Sequence, residues 1–354
     1  MKQFIRKALI LGALCVPFVF VLPGVLDPYN VFHYKNVRDN GVAPNQNYIK
    51  MRYLLDNPGR FDALILGSSK VAPLDVGHIN DSLRWYNMTH AWGTPREYFE
   101  NLQVLIERGI IPSLVLLGID TASGWLDPDI SIRTLGTNPY PTQGSVRYGQ
   151  FLLGYCNPSV LSSILVSIRH KGNTPEFQKQ FYENGGLARK AKTEPAPYNW
   201  NNLPYQMVMR FKPRPIEDRI EQGLADIQRI RDLCAEHHIK LIVFTIPLHI
   251  AEYQHFIPYG YLDFLEKLAD ISDFYNFVGI NDIAVNNDCF NDVFHHTIAT
   301  GDMVLDRIFD CIIDEKLLSQ GFGYYVTGEN RDLLFALLRE QLPAHIVQHL
   351  PKAE

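Results

Sequence analysis

Three short apolar runs constrain this chain more than anything else in it: residues 61–67 (Phe-Asp-Ala-Leu-Ile-Leu-Gly), 113–120 (Ser-Leu-Val-Leu-Leu-Gly-Ile-Asp) and 240–247 (Lys-Leu-Ile-Val-Phe-Thr-Ile-Pro). Runs of that length without polar alternation suit strands buried on both faces, as in parallel sheets. Between them apolar residues recur at helical spacing: Tyr98, Leu102, Leu105 and Ile106 within 95–108, and Ile216, Ile220, Leu224, Ile227, Ile230 and Leu233 within 216–238. A second strand is read over 85–89 and another over 275–278, with a helical stretch after a turn at Pro73. Further helices are read over 261–271, 303–313 and 329–348, the last broken at Pro343. Strand and helix in alternation predict an α/β fold, three layers deep, around a mainly parallel sheet. At 354 residues, 46% hydrophobic and 20% charged, the chain can bury one large domain. That domain is expected over 59–354, with an insertion at about 121–215, rich in Pro, Gly, Asn and Tyr, covering the sheet's edge or active face.

The first residues bear on where such a domain works. Lys2, Arg6 and Lys7 precede an uncharged run over 8–26 that includes Pro17 and Pro23. As a helix at about 1.5 Å per residue the run comes close to the roughly 30 Å of a bilayer's hydrocarbon, whereas a cleaved signal has a shorter apolar core. The basic flank should stay in the cytoplasm. No small-x-small cleavage site follows, and Leu14 stands before Cys15 where a lipoprotein signal has a small residue. Residues 1–26 therefore read as an uncleaved transmembrane signal anchor, with removal as a signal the other reading; both export the remainder. Residues 27–58, polar and turn-rich, read as a juxtamembrane stalk. The implied localisation is a bacterial inner membrane, single-pass, with the domain outside the cytoplasm.

With Lys2, Arg6 and Lys7 set aside, 30 of the 33 basic residues face 38 acidic ones, a net of −8. That balance argues against nucleic acid as a partner. Of five cysteines, Cys15 lies in the apolar run; Cys156, Cys234, Cys289 and Cys311 remain, either paired in an oxidising compartment or as buried free thiols. Their spacing fits no metal motif, and no cofactor is called for.

The run over 61–67 ends in Gly67-Ser68-Ser69-Lys70, which presents a serine on the turn at the sheet's carboxyl edge, where open α/β folds bind ligands. Glycine permits a sharp turn, and a following helix start would offer backbone N–H groups to an oxyanion; the same tetrad also serves as a plain helix cap. A second feature, Asp292-Val293-Phe294-His295, lies in a polar, loop-like stretch. Histidine can take a serine proton, and a carboxylate on its other nitrogen fixes the tautomer and stabilises the imidazolium.

A Gly-Ser-Ser turn after the first strand with Asp-x-x-His near the C-terminus resembles the SGNH (GDSL-like) hydrolase superfamily, over roughly residues 61–313. Within it the chain is most similar to membrane-anchored envelope members, such as the D-alanine transfer protein of teichoic acid synthesis and the alginate O-acetylation proteins. The resemblance implies a flavodoxin-like sheet, Ser69 as nucleophile, His295 as base and Asp292 as its orienter. Gly93, in Ala91-Trp92-Gly93-Thr94, matches the family's second-block glycine, whose N–H enters the oxyanion hole. Gly118-Ile119-Asp120 stands where the family has Gly-x-Asn-Asp. This is a departure, because Asp120 replaces the asparagine that donates to the oxyanion, and an ionised carboxylate cannot donate. The implied activity is a serine esterase or O-acyltransferase acting on acyl groups of an envelope or surface polysaccharide, with a membrane-bound O-acyltransferase as partner. The rival reading is a non-catalytic module of the same fold that binds glycan or scaffolds an export or acylation complex. A secreted lipase would need a wide apolar groove that these loops do not promise.

Other features weigh less. His295-His296 with His90 or Asp120 could hold a metal, without supporting spacing. His237-His238 ends a helix and reads as structural, and Lys70, which could attract an anionic substrate, reads rather as a solvated surface lysine. Trp92, Trp125, Tyr140 and Tyr148 sit on loops that could stack on sugar rings, though half of that set reads as ordinary packing.

Overall fold

A computed structural model describes residues 1, 3–7, 12, 21–126, 134–142, 144–186, 217–312 and 314–342. They divide into two compact units, one of residues 58–130 and 184–354, the other of 1–57 and 131–183.

The first unit is α/β. Its strands are β1 (Ala63–Leu66), β2 (Trp85–Asn87), β3 (Leu114–Ile119), β4 (Lys240–Thr245), β5 (Phe274–Asn276), β6 (Phe290–Asp292), β7 (His295–His296) and β8 (Tyr324–Val326). A six-stranded sheet runs β2-β1-β3-β4-β5-β8. The first five are parallel, in register as Ala63 beside Leu114 and Leu114 beside Lys240, and β8 closes the edge antiparallel to β5. Every residue of β1 and β3 is buried, which is why these strands read as unbroken apolar runs rather than alternating ones. At the β2 edge the Asn87 N–H is taken by Asn184 O at 2.7 Å.

The helices of this unit are α1 (Pro95–Glu107), α2 (Ala122–Trp125), α3 (Glu217–Glu236), α4 (Ile250–Phe256), α5 (Tyr261–Ile271), α6 (Ile298–Leu305), α7 (Glu315–Ser319) and α8 (Arg331–Glu340). Thr94 starts α1: its N–H and hydroxyl both donate to the Glu97 carboxylate at 3.0 Å, and Pro95 takes the first helical position, where no N–H is needed. α3 packs against α1, α2 and α5, and α5 against α8. Arg229 of α3 lays its guanidinium 3.8 Å from the Phe99 ring centroid, a cation–π contact that fastens α3 to α1. Trp125, read as a sugar platform, packs instead edge-on to Phe256 and Phe264.

The order of elements matches expectation, with local corrections. No regular α-helix follows Pro73; the chain makes a turn and one short 3₁₀ segment, Val76–His78. The helix expected over 303–313 begins earlier, at Ile298, because Thr297 caps it with its hydroxyl on the Thr300 N–H at 3.2 Å. The C-terminal helix is α8, and residues 343–348 of that expectation lie outside the described residues.

The second unit corrects the stalk. Residues 46–56 are a helix, Gln46–Asp56, whose Ile49 packs with Val37 and Phe181, flanked by Tyr34, Phe177 and Tyr182. Helices Gly144–Gly154, Leu161–Arg169 and Thr174–Tyr182 belong to the same unit. Tyr48 stacks on Tyr140 and Phe151, and the Asn45 amide donates to Leu135 O, Asn138 O and Tyr155 Oη. A polar segment looks like a linker when the side chains it buries against lie about a hundred residues away. Of the expected insertion, 121–126 and 184–186 belong to the sheet unit, and 127–133 and 187–216 lie outside the described residues. Among the described residues no helix is long and apolar enough to cross a membrane. In the run over 8–26, residues 8–11 and 13–20 lie outside the described set.

One close approach shapes the sheet's carboxyl edge. Val71 folds over β3, so a Cβ on Gly118 would meet Val71 Cγ2 at 2.5 Å and Phe244 Cζ at 2.9 Å. Gly118→Ala should destabilise the protein by about 1–3 kcal/mol through overpacking. In urea denaturation, combining it with Val71→Ala should cost less than the sum of the single changes. Strict additivity would show that Val71 does not set the constraint.

Candidate active site

Beyond β1 the chain turns at Gly67-Ser68-Ser69-Lys70. The Val71 N–H donates to Ser68 O at 3.1 Å and the Lys70 N–H to Ser68 Oγ at 3.1 Å. The neighbouring loop after β2 is tied in by the His90 N–H donating to Gly67 O at 3.2 Å. Ser68 is buried, and its hydroxyl donates a short hydrogen bond to Asp120 Oδ2 at the end of β3. Asp120 Oδ1 accepts the Ala122 N–H at 2.6 Å. A carboxylate so placed is occupied: it stiffens the serine turn from below and starts the turn into α2.

The partner of Ser69 arrives on the β6–β7 hairpin, in a stretch whose flanking residues suggest a loop. An irregular register at Asp292 bends this two-stranded ribbon. Asp292 Oδ1 accepts the N–H groups of Phe294 at 2.9 Å and His295 at 3.0 Å, so the carboxylate organises the turn that carries its own histidine. His295 Nδ1 lies 2.8 and 2.9 Å from the two Asp292 oxygens, and His295 Nε2 lies 3.1 Å from Ser69 Oγ. With Nδ1–H donating to the carboxylate, the Nε2 lone pair faces the serine hydroxyl. Ser69, His295 and Asp292 are thereby brought into one hydrogen-bonded line, each partly exposed or close to the surface.

The expected oxyanion groups are arranged differently. The Gly93 N–H points back to His90 O at 3.3 Å, and a Cβ there would meet Tyr98 Oη at 2.6 Å, so this glycine answers a packing demand. Gly118 lies beneath Val71 and serves the sheet. Asp120 accepts hydrogen bonds only, so it is no donor to an oxyanion. The helix start that would have supplied further N–H groups is a turn whose Lys70 and Val71 amides are engaged by Ser68. The Ser69 amide is the backbone donor carried by the nucleophile itself.

Lys70 is not a solvated lysine. It is buried at 9% exposure, and its ammonium pairs with Glu252 of α4, which is fully buried, and donates to Thr121 Oγ1. Thr121 in turn donates to Glu252 Oε1 at 2.6 Å, and the ammonium stands 5.4 Å from the Phe294 ring centroid. The residue after Ser69 thus joins the ends of β1 and β3 to α4 and touches the histidine hairpin. An acid in the first turn of a helix that follows a parallel strand sits on the carboxyl edge, and that placement of Glu252 was the available signal.

His296 faces the opposite way from His295. It is fully buried, its Nδ1–H donates to Thr297 O at 2.8 Å, and burial pushes its pKa down to about 4. Among the described residues no group of three or more His, Cys, Asp or Glu is disposed to hold a metal. Cys156, Cys234, Cys289 and Cys311 are free thiols. Trp92 is 43% exposed at a backbone φ of 59°, whereas Tyr140 and Tyr148 belong to the cluster around Tyr48 in the other unit.

Removing one partner of a buried ion pair strands the other charge, so Glu252→Gln should destabilise by about 3–5 kcal/mol in urea melts. The apolar double change Lys70→Met with Glu252→Leu should recover most of that loss; no recovery would mean the pairing is not what Glu252 contributes. The depressed His296 pKa gives a second prediction. The unfolded histidine, near 6.5, binds a proton that the folded one refuses until about pH 4. Stability is therefore complete above pH 6.5 and falls on acidification toward pH 4, by roughly 3 kcal/mol in all. His296→Gln should flatten this part of the pH–stability profile, and an unchanged slope would assign it to other groups. No family model matches the sequence, and no curated protein matches it.

Proposed function

We propose that this protein is a serine esterase or O-acyltransferase of SGNH type, anchored in a bacterial inner membrane through residues 8–26, with its domain outside the cytoplasm. The observation that carries the proposal is the hydrogen-bonded line from Ser69 Oγ through His295 to Asp292 at the carboxyl edge of the parallel sheet. Chain order is Ser, Asp, His, the order in which α/β hydrolytic sites also present these groups, and geometry rather than order matters. The strand order β2-β1-β3-β4-β5 supports a flavodoxin-like sheet, with α3 packed between α1 and α5 in one helical layer.

In the reaction Ser69 Oγ attacks an acyl carbonyl carbon while its proton passes to His295 Nε2. Asp292 holds Nδ1–H and stabilises the imidazolium. The Ser69 amide faces the developing oxyanion. Collapse of the tetrahedral intermediate breaks the bond to the leaving oxygen, which takes the proton from His295, leaving acyl-Ser69. A second oxygen nucleophile, deprotonated by His295, then removes the acyl group: water gives hydrolysis, and a sugar hydroxyl gives transfer. An envelope or surface polysaccharide is the proposed substrate, a membrane-bound O-acyltransferase the proposed partner and acyl source, and exposed Trp92 beside Gly93 a surface for a sugar ring.

A second reading has its own support. The Gly93 amide is taken by His90 O and the Asp120 carboxylate by Ser68 and Ala122, so two of the groups expected around an oxyanion are engaged elsewhere. A non-catalytic module that grips a glycan or scaffolds an acylation complex would tolerate that.

A fluorophosphonate serine probe separates the two. Wild type should label, Ser69→Ala and His295→Ala should not, and Asp292→Asn should slow labelling by as much as about 10⁴-fold. Folded wild type that stays unlabelled, or labelling that survives Ser69→Ala, would favour the binding module.

A further inference from the structure

In the unit formed by residues 1–57 and 131–183, two helices carry apolar residues on their outer faces as well as on the faces they pack inward. Helix Gly144–Gly154 has no buried residue, and Val146 and Leu153, seven positions apart on one face, are 75% and 67% exposed. Helix Leu161–Arg169 buries Ile164 and exposes Leu165 at 56% and Ile168 at 64%, with Leu161 on the same side. A surface helix of a globular unit normally turns such a stripe inward. Single exposed apolar residues need no explanation, whereas a run of them on two successive helices marks a contact surface.

Two further observations say what the contact is. First, the segment that carries these helices is one-sided in charge along the sequence, although Asp39 from the earlier segment pairs with His170 at 3.2 Å. From residue 130 to 175 the sequence has no Asp or Glu, although the chain carries 38 of them, while Arg133, Arg147, Arg169 and Lys171 fall within that stretch. Second, the helices are fastened to the end of the N-terminal apolar run. A Cβ on Gly24 would lie 4.0 Å from Cys156 Sγ, just past the first helix. Tyr29 then places its ring 5.7 Å from that of Tyr155 and shares a 2.8 Å hydrogen bond with Ser163 of the second helix. Val21 and Val25, on the run itself, are 59% and 60% exposed.

We infer that the helices Gly144–Gly154 and Leu161–Arg169 form a membrane-contact face that lies on the bilayer surface beside the point where the N-terminal run leaves it. Val146, Leu153, Leu165 and Ile168 enter the boundary between head groups and acyl chains, and Arg147, Arg169 and Lys171 favour anionic lipid phosphates. This rests on the reading of residues 8–26 as an anchor. It adds to that reading a second attachment, which fixes the orientation of this unit against the membrane where a single spanning segment leaves it free to swivel.

The test uses the full chain in vesicles of phosphatidylethanolamine and phosphatidylglycerol with brominated acyl chains. An environment-sensitive fluorescent residue is placed at Leu153, at Ile168 or, as a control within the same unit, at Lys179. The expected result is that the protein floats with the vesicles and that brominated lipid quenches the residues at 153 and 168 at least twofold more than the one at 179, independently of protein density. Flotation with 153 and 168 open to an aqueous quencher would overturn the contact face and leave the anchor standing. Failure to float after alkaline washing would remove the anchor and the face together. Protection at 153 and 168 that grows with protein density, without quenching by the lipid, would overturn the proposal in favour of a second copy of the chain.

Discussion

A buried carboxylate must have its lone pairs satisfied, and in this protein that demand organises the carboxyl edge of the sheet. Asp120 is 1% exposed, at the end of the central strand β3. Its two oxygens take the Ser68 hydroxyl and the Ala122 amide, and Ser68 in turn takes the Lys70 amide. One side chain therefore fixes two turns, the one that carries Ser69 and the one that leads into α2. The residue that stands where the resemblance expects a side-chain donor is the same residue that holds the Ser69 turn.

Lys70 extends the arrangement sideways. Its ammonium, Glu252 and Thr121 share hydrogen bonds in a setting with little water, so the ends of β1 and β3 are linked to α4 through one ionic cluster. The cluster reaches Phe294 on the hairpin, between Asp292 and His295. Ser69 and His295 are 226 residues apart in sequence, and their 3.1 Å approach depends on packing of this kind rather than on anything local.

The parts legible in the sequence were those with a strong period or a local motif. The unbroken apolar runs at β1, β3 and β4 identified a parallel sheet because burial on both faces erases alternation, and the stripes on α1, α3 and α5 followed from helical spacing. Ser69, Asp292 and His295 were found because Gly67-Ser68-Ser69 and Asp-x-x-His are short patterns with a chemical reason. The β6–β7 hairpin was not, since Phe290, Val293 and Phe294 follow no strand period and the turn is fixed by the Asp292 carboxylate on backbone amides. Lys70 misled because a lysine beside a turn is usually solvated, and its partner lies 182 residues on. The fold of residues 27–57 was hidden for the same reason: Tyr48 and Ile49 look unremarkable until Tyr140, Phe151 and Phe181 meet them.

That last unit is assembled from two pieces of chain separated by most of the first half of the sheet. Val37 waits for Tyr182, 145 residues later, and Tyr29 for Ser163, 134 residues later. At a ribosomal pace of roughly 5–20 residues per second, the first segment is exposed for about 7–30 s before its complement is made. During that interval the helix Gln46–Asp56 has no native surface to cover Ile49 and Met51, and the strands β1 to β3 are synthesised in between. A nascent chain of this design therefore carries an uncovered first segment until residue 183 has emerged, and the sheet whose first strands were made in between waits longer still, for β4, β5 and β8.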